Sequence, residues 1–313
     1  MPGFFLKKTG SFLIVIIGIT FLSFILTYLS PSDPVEIMMK KKGNMVSEKV
    51  IQQKREELGL DQPMLIQYAN WLKGICHGNF GTSYKSNKPV IQELKKCLPY
   101  TIELTLLSMF LTMLIATPLG VMSAKYKDGL LDNVLRFITY LFSSLPSFFL
   151  ALILMYFLAL KIKLFPVIAK GHSNGMIMPA LVLSLTLASW YIRQVRAIVL
   201  KEMEKEYIEG LLSRGVSETK ILFGHVLRNC LMPLVTLVGI SFGSMLGGST
   251  IVESIFTWPG VGKLAVDAIT ARDYPIIQGY VIWMAVIFLV INLIVEFSYS
   301  LLDPRVRKRK ETV

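Results

Sequence analysis

The sequence predicts an all-α integral membrane protein with six transmembrane helices. Of its 313 residues, 53% are hydrophobic and only 17% are charged, whereas about 25% of the residues of soluble domains carry a charge. A net charge of +12 is compatible with nucleic-acid binding in principle, but the charges lie between long apolar runs and no basic face interleaved with aromatic residues occurs. We therefore expect membrane lipid, and no nucleic acid, around this chain.

Six windows without charge are long enough to cross a bilayer. A span needs roughly 20 such residues, because about 30 Å of hydrocarbon is crossed at about 1.5 Å per residue. The windows are residues 9–32, 104–124, 137–160, 171–192, 229–252 and 274–295. The first is longer than the apolar part of a secretory signal, and no small-x-small cleavage site follows it, so we expect a retained signal anchor.

The distribution of Lys and Arg predicts that both termini lie in the cytoplasm. Basic residues cluster at the N-terminus, after the second span, at residues 193–228 and in the C-terminal tail, and this orientation places all four groups inside. Cytoplasmic loops of membrane proteins carry such an excess. The long segment 33–99 is also basic, but loops of this length are translocated largely regardless of charge.

Residues 33–99 predict an extracytoplasmic helical insert. We expect a helix at residues 47–58, with Ser47 as N-cap and Gly59 as terminator, and then the amphipathic run QPMLIQYANWLKGI. The insert is interpreted as a small cap over the pore, and the alternative is a packing insert with no role in transport. Cys76 and Cys97 are either paired, if they face an oxidising side, or free thiols.

The stretch EYIEGLLSRGVSETKILFGHVLRNCLMP, residues 206–233, is polar between two apolar spans. Its apolar residues recur at helical spacing and predict one ridge, formed by Ile208, Leu211, Leu212, Gly215 and Val216. Gly215 predicts a left-handed stop, and Ser217 predicts the cap of a second helix. The stretch is therefore expected to be a helix, a hinge and a second helix on the cytoplasmic side.

Three roles are open for this unit from its residues alone. It is an interfacial helix on lipid, a plain connector, or a docking element that fits a groove on a soluble partner. Acidic residues beside an anionic leaflet argue against the first role, and these are Glu202, Glu204, Glu206 and Glu209.

The stretch resembles the cytoplasmic coupling loop of ABC importer permeases. In that pattern Glu-Ala-Ala is followed by three residues, a Gly, nine residues and Ile-x-Leu-Pro. Glu209, Gly215 and Leu227 stand at the matching positions.

Four positions depart from the pattern. Gly210 and Leu211 replace the two alanines, which puts the closeness of the ATPase contact in question, and His225 and Arg228 replace Ile and Pro. However, HVLRN followed by Pro233 is similar to the branch of the family that handles di- and oligopeptides and nickel.

A second block, VESIFTWPGVGKLAVDAITARDYPIIQG at residues 252–279, resembles the outer loop between the last two spans of that branch. Further matches are LSPSDP, LGLDQPMLIQYANWL, GNFGTSY, LPSFF and LDPRVR. Over nearly its whole length the chain is thus identified as a member of the dipeptide/oligopeptide/nickel permease family.

This resemblance implies a type I ABC importer permease fold in the bacterial cytoplasmic membrane. It implies a transport subunit, not an enzyme, that forms half of the pathway for di/oligopeptides or nickel/metal chelates. The implied partners are a second homologous permease, two ATP-binding subunits that hold ATP and Mg, and an extracytoplasmic solute-binding protein. The implied ATPase-coupling residues are Tyr207, Ile208, Glu209, Gly210, Leu211, Leu212, Gly215 and Leu227.

The predicted organisation has four parts. They are the tail and first span (1–32), the insert (33–99), a core permease domain (100–302) with the coupling loop at about 201–228, and a basic cytoplasmic tail (303–313). The rival interpretations are a self-sufficient secondary transporter or channel and a structural scaffold. The absence of an inverted repeat and of a conspicuous charge at the centre of a span argues against the first rival.

WPGVGKL is not a phosphate-binding loop, although it ends in Gly-Lys. That motif requires Gly at position 257, where this chain has Thr257. It also requires Ser or Thr after the Lys, where this chain has Leu264. The histidines, His77, His172 and His225, lack ligand spacing, so we expect no metal site.

Two further groups are candidates for moving parts. An outer gate is a hypothesis for Glu253, Trp258, Pro259, Gly260 and Gly262, although a carboxylate at a span edge more often lies among headgroups or pairs with a basic residue. Helix packing, with or without sliding during transport, is expected at Gly243, Gly247 and Gly248.

Overall fold

The computed structural model describes residues 2–29, 35, 48–57, 59–172 and 174–302. The regular structure of this part is helical, apart from an isolated bridge between Thr82 and Pro89. The helices are α1 (Pro2–Tyr28), α2 (Glu48–Glu57), α3 (Met64–Cys76), α4 (Val90–Lys125), α5 (Leu130–Ser144), α6 (Ser147–Leu154, continued by a π-helix at Met155–Lys161), α7 (Ile177–Met203), α8 (Glu206–Ser213), α9 (Glu218–Ile221, continued by a π-helix at Leu222–Val226), α10 (Leu227–Ile255), α11 (Val261–Ala271) and α12 (Tyr274–Leu302). The predicted cap Ser47 and the tail 303–313 lie outside the described residues.

One compact unit comprises Met1–Thr101 and Pro259–Leu289. Both helices expected in the insert are present as α2 and α3, and Gly59 ends α2 with φ +65°. α3 packs against α1 through aromatic rings, with the centroids of Phe24 and Trp71 5.6 Å apart. The buried core of this unit joins Val90 at the start of α4 to residues of α11 and α12.

The other compact unit comprises Ile102–Trp258 and Val290–Val313. In it α7 packs against α5, α6 and α10. Within this unit, glycine allows close contacts between two helices at two places that the sequence did not single out. A Cβ added at Gly120 of α4 would lie 2.6 Å from Val195 Cβ of α7, and one added at Gly239 of α10 would overlap Val295 of α12.

Among the described helices, three are long and apolar enough to cross a membrane: Val90–Lys125, Glu218–Gly247 and Tyr274–Val295. A bent pair, Leu130–Ser144 with Ser147–Lys161, makes a fourth if it counts as one span. The first predicted window gives only the shorter apolar helix Phe12–Tyr28. The window 171–192 falls in α7, which is apolar only as far as Ile192 and then carries Arg193. Six separate spans therefore stay a prediction.

The expectation of one continuous helix at residues 137–160 is wrong. The two halves are bent by 103° relative to each other, and the break lies at Leu145 and Pro146. Pro146 has no N–H to donate and disfavours the helical conformation of the residue before it. Leu145 accordingly adopts an extended conformation, with φ −86° and ψ 127°.

Candidate functional site

The polar stretch between α7 and α10 forms the predicted helix, hinge and second helix. Lys205 is extended (φ −80°, ψ 144°) and separates α7 from α8. Gly215 ends α8 with φ +77°, and its N–H donates to the Leu212 carbonyl oxygen at 2.9 Å. The Val216 N–H donates to the Leu211 carbonyl oxygen at 3.1 Å. Such paired bonds are typical of a left-handed stop, which confirms the predicted backbone role of Gly215.

Ser217 stands at the N-cap position of α9, but its side chain makes no capping hydrogen bond. Its carbonyl oxygen accepts from the Ile221 N–H at 3.0 Å, so the backbone alone starts this helix. After one turn α9 widens into the π-helix Leu222–Val226. Short π segments of this kind are frequent at functional sites.

The apolar ridge of α8 faces the protein's own helices. Ile208 is 2% exposed and lies in a core cluster with residues of α7 and with Val226. Leu211, Val216 and Leu227 are partly buried and pack against the same cluster. The ridge therefore anchors α8 to the helices on either side of it.

Much of the surface of α8 is exposed. Leu212 is 44% exposed and lies at the uncovered edge of the predicted ridge. Successive residues are about 100° apart on a helix, and the narrow contact that buries Ile208 and Leu211 leaves the next residue outside. Tyr207, Glu209 and Gly210 are exposed as well. A Cβ added at Gly210 would meet nothing within 4 Å, so the alanine of the family pattern would fit there.

A buried carboxylate joins the ends of three helices at this site. Glu202, in the last turn of α7, is 8% exposed. Its Oε1 accepts from the Tyr207 hydroxyl of α8 at 3.0 Å and from Asn229 Nδ2 of α10 at 3.0 Å. Lys205 Nζ lies 2.6 Å from its other oxygen, Oε2. The sequence indicated Glu202 only as one of four acidic residues beside the anionic leaflet, because its partner Asn229 on α10 is 27 residues away.

The charge of Glu202 is stabilised by these partners. Burial alone would raise the pKa of its carboxyl group, but the bonds from Lys205, Asn229 and Tyr207 together outweigh burial and hold that pKa below its usual value. The same ion pair raises the pKa of the Lys205 ammonium group. Glu202 is therefore ionised at neutral pH.

A second buried carboxylate links α5 to α7 and was also missed. Asp132 is 0% exposed and accepts two hydrogen bonds from the Arg196 guanidinium, at 2.8 Å from Nε and 2.7 Å from Nη2. The Ser123 hydroxyl of α4 and the Asp128 N–H also donate to it. Asp132 and Arg196 are separated by 64 residues, so no local spacing indicates the pair.

The outer-gate candidates fall in both compact units. In the unit that contains α10, Glu253 is fully buried, the Ser249 hydroxyl lies 3.1 Å from its Oε1, and the Trp258 N–H donates to its carbonyl oxygen at 2.8 Å. In the unit that contains α11, Gly260 is the N-cap and Gly262 is buried in the first turn. Pro259 precedes them and is half-buried.

The glycines predicted to pack helices lie in α10. Gly243 is half-buried, and Gly247 is exposed with nothing within 4 Å of an added Cβ. Of Gly248 only the helical backbone is described.

Two family-like motifs meet within the unit Met1–Thr101 and Pro259–Leu289. Asp273, from ARDYP, is buried and accepts hydrogen bonds from three groups of the GNFGTSYK segment. These are the Ser83 hydroxyl, the Tyr84 N–H at 3.0 Å and the Lys85 N–H at 3.1 Å. One carboxylate therefore holds the loop before α4.

No group of three or more His, Cys, Asp or Glu side chains suited to a metal ion occurs in the part of the chain that the structure describes. His77, His172 and His225 are exposed. No disulfide joins Cys76 to Cys97, so of the two alternatives the thiol form is found.

Two family profiles match the chain. The one described as "Binding-protein-dependent transport system inner membrane component" matches residues 116–308. The one described as "Binding-prot-dependent transport system membrane comp, N-term" matches residues 1–105.

Curated relatives match over almost their full length. The oligopeptide transport system permease protein AppB of Bacillus subtilis is 35% identical over 98% of this chain and 99% of its own. A probable peptide ABC transporter permease protein of Sinorhizobium fredii is 33% identical over 98% of this chain and 100% of its own. The metal-staphylopine import system permease protein CntB of Staphylococcus aureus is 32% identical over 97% and 98%.

Among solved structures, an inward-facing conformation of the MetNI methionine ABC transporter matches with a TM-score of 0.59. It is 17% identical and covers 68% of this chain and 97% of that chain. At this identity the likeness supports the fold alone: an all-helical membrane protein with the ABC importer permease fold.

Proposed function

Because the chain belongs to the family of binding-protein-dependent transport system inner membrane components, we propose that α8 is the element through which partner ATPase subunits drive it. The chain is the permease subunit of an ABC importer, a multi-pass protein of the cytoplasmic membrane, and not the ATPase. One observation carries the proposal: α8 is anchored through the buried Ile208, and Tyr207, Glu209 and Leu212 are left exposed around that contact.

The proposed mechanism couples two conformations. ATP binding closes the ATPase pair, and α8, seated in the ATPase groove, passes this movement to α7 and α10 through the cluster around Ile208. The pathway then opens outward to receive substrate, and hydrolysis returns it to the inward state. Coupling of this kind requires that ATP binds the two states with different affinity.

We propose oligopeptides or metal chelates as the transported class. The relatives are named for peptide, oligopeptide and metal-staphylopine transport. Uptake of a tritiated pentapeptide and of a radioactive nickel–histidine chelate by reconstituted complexes distinguishes these classes. Flux that needs no ATP would instead favour the secondary transporter or channel.

The proposed partners are a second homologous permease, two ATP-binding subunits and an extracytoplasmic solute-binding protein. Affinity purification of this chain in mild detergent is expected to recover the ATP-binding subunits. Leu212→Glu, which places a charge on the exposed face of α8, is expected to lose those subunits and keep the second permease. Val50→Glu on α2 is a matched control, because Val50 is equally exposed at 43%. Recovery of the wild-type chain without any ATPase would contradict the proposal.

We further propose six spans with both termini in the cytoplasm, the third span being bent at Pro146. The four parts predicted from the sequence are kept: the first span, the extracytoplasmic insert, the core with its coupling loop, and the basic tail. The excess of Lys and Arg on one side supports this orientation.

The native thiol Cys76 tests this topology. It is exposed at the end of α3, so a membrane-impermeant maleimide is expected to label it in intact cells stripped of their wall. The variant Cys76→Ser should lose the label, because Cys97 is half-buried and Cys230 is buried. Labelling that appears only after the membrane is opened would place the insert inside.

The outer-gate role also stays a proposal. Its best candidate is Glu253, a buried carboxylate directly after the fifth predicted span. The other candidates, Trp258, Pro259, Gly260 and Gly262, follow it in sequence within ten residues. Packing by Gly243, Gly247 and Gly248 against the second permease is proposed on the small size of these residues.

A further inference from the structure

We propose that Glu202 is a positioning residue that locks the coupling helix α8 to α7 and α10, so that movement at the ATPase contact reaches both helices together. The inference rests on the proposed function, because a connection between α8 and the spans matters for transport only if the ATPase subunits act on α8.

The contacts form a closed triangle. Glu202 Oε1 accepts from the Tyr207 hydroxyl and from Asn229 Nδ2, each at 3.0 Å. Asn229 Nδ2 also lies 3.1 Å from the Tyr207 oxygen and donates to it. The three corners belong to α7, α8 and α10, so each helix end is fixed to the other two.

Packing alone does not fix this arrangement. The cluster around Ile208 is apolar, and apolar contact is not directional, so it tolerates small slips of one helix along another. Hydrogen bonds weaken steeply with distance and angle, and a bond to a charged group contributes roughly 1.5–3 kcal/mol. The apolar cluster therefore allows several positions of α8, and the hydrogen bonds of the triangle select one of them.

Tyr207 belongs to both the surface and the triangle. Tyr207 is 36% exposed, while its hydroxyl bonds inward to Glu202. A partner that contacts the Tyr207 ring is therefore connected to α7 and to α10 through the hydroxyl of this one side chain. No other residue of α8 that the structure describes bonds to both neighbouring helices in this way.

A purely structural role predicts a different result. If Glu202 only balances Lys205 and keeps the loop folded, its loss lowers the amount of assembled complex and leaves each surviving complex normal. If Glu202 positions α8, its loss leaves the complex assembled, but the complex hydrolyses more ATP for each substrate molecule imported. The ratio of substrate imported to ATP hydrolysed separates the two roles.

The experiment uses the full complex in proteoliposomes, with its ATPase subunits and binding protein. Uptake of the pentapeptide or of the nickel–histidine chelate, whichever the wild-type complex imports, is measured together with ATP hydrolysis. Tyr207→Phe removes only the hydroxyl, and Glu202→Gln removes the charge. Lys205→Met is the matched control, because Lys205 contacts Glu202 from outside the triangle and is 55% exposed.

We expect imported substrate per ATP to fall about fivefold in Tyr207→Phe and Glu202→Gln, the loss that corresponds to one hydrogen bond. The double variant should be no worse than the poorer single variant, since both remove the same triangle. Lys205→Met should keep the wild-type ratio. An unchanged ratio in Tyr207→Phe and Glu202→Gln overturns the inference while leaving the proposed function intact. Wild-type complexes that import neither probe with ATP would overturn the proposed function and this inference with it.

Discussion

A Gly215→Glu variant is expected to reach the membrane in normal amounts and to lose ATP-driven uptake by about tenfold or more, which corresponds to about 1.4 kcal/mol of lost coupling. Gly215 has φ +77°, a conformation that disfavours a side chain by roughly 1–2 kcal/mol. A Cβ added at Gly215 meets nothing within 4 Å, so the protein should still fold. Uptake and ATP hydrolysis in membrane vesicles, normalised to protein abundance, measure the effect.

Two controls distinguish the effect of the left-handed conformation of Gly215 from the effect of adding a side chain to an exposed glycine. Gly215→Asn introduces a residue that tolerates the left-handed region, and we expect most of the uptake to remain. Gly210→Ala changes a glycine in the same exposed helix where an added Cβ meets nothing within 4 Å, and uptake should be normal. Normal uptake by Gly215→Glu at normal abundance would remove Gly215 from the coupling site.

Asp132→Ala is expected to destabilise the protein by about 3–5 kcal/mol, because it leaves the Arg196 guanidinium without its carboxylate. Asp132 is 0% exposed, the Arg196 side chain is only 18% exposed, and two hydrogen bonds join them. Thermal unfolding in detergent should show a lower midpoint, and the amount of protein in the membrane should fall.

The double variant Asp132→Leu with Arg196→Met tests the cause. Removing both charges leaves neither one buried alone, so this variant should be more stable than either single variant. Arg136→Gln is the control, since Arg136 is 38% exposed and its Nε lies 3.7 Å from the Asp132 carboxylate. Additive losses in the double variant would mean that the two residues stabilise the protein independently.

The sequence predicted the local features of this protein well. Periodicity and one glycine were enough to place α8, its left-handed end at Gly215 and the helix that follows, because each depends on residues within one or two turns. The helices of the insert and the end of α2 at Gly59 were predicted for the same reason. Family-like motifs then supplied the function, which spacing alone left open.

Contacts between distant segments could not be predicted. Asn229 and Arg196, the distant partners of Glu202 and Asp132, lie 27 and 64 residues away from them, and no periodic pattern connects these pairs. Which residues of the α8 ridge would be covered also depended on neighbouring helices, which bury Ile208 and leave Leu212 exposed. The bend at Pro146 is a different case, because a proline inside a predicted span already indicates a break. The spans were predicted only from windows without charge, which do not take proline into account.

The bend between α5 and α6 bears on how this protein is made. α5 has 15 residues and is about 22 Å long. This is shorter than the ~30 Å of hydrocarbon that a transmembrane helix must cross. Neither half is therefore a good insertion signal alone, and the nascent chain has to enter the lipid with both halves together. α7, which packs against both halves, is synthesised next. We expect a ribosome that stalls before α7 to leave a fragment for membrane quality control, so biogenesis is most vulnerable at this point.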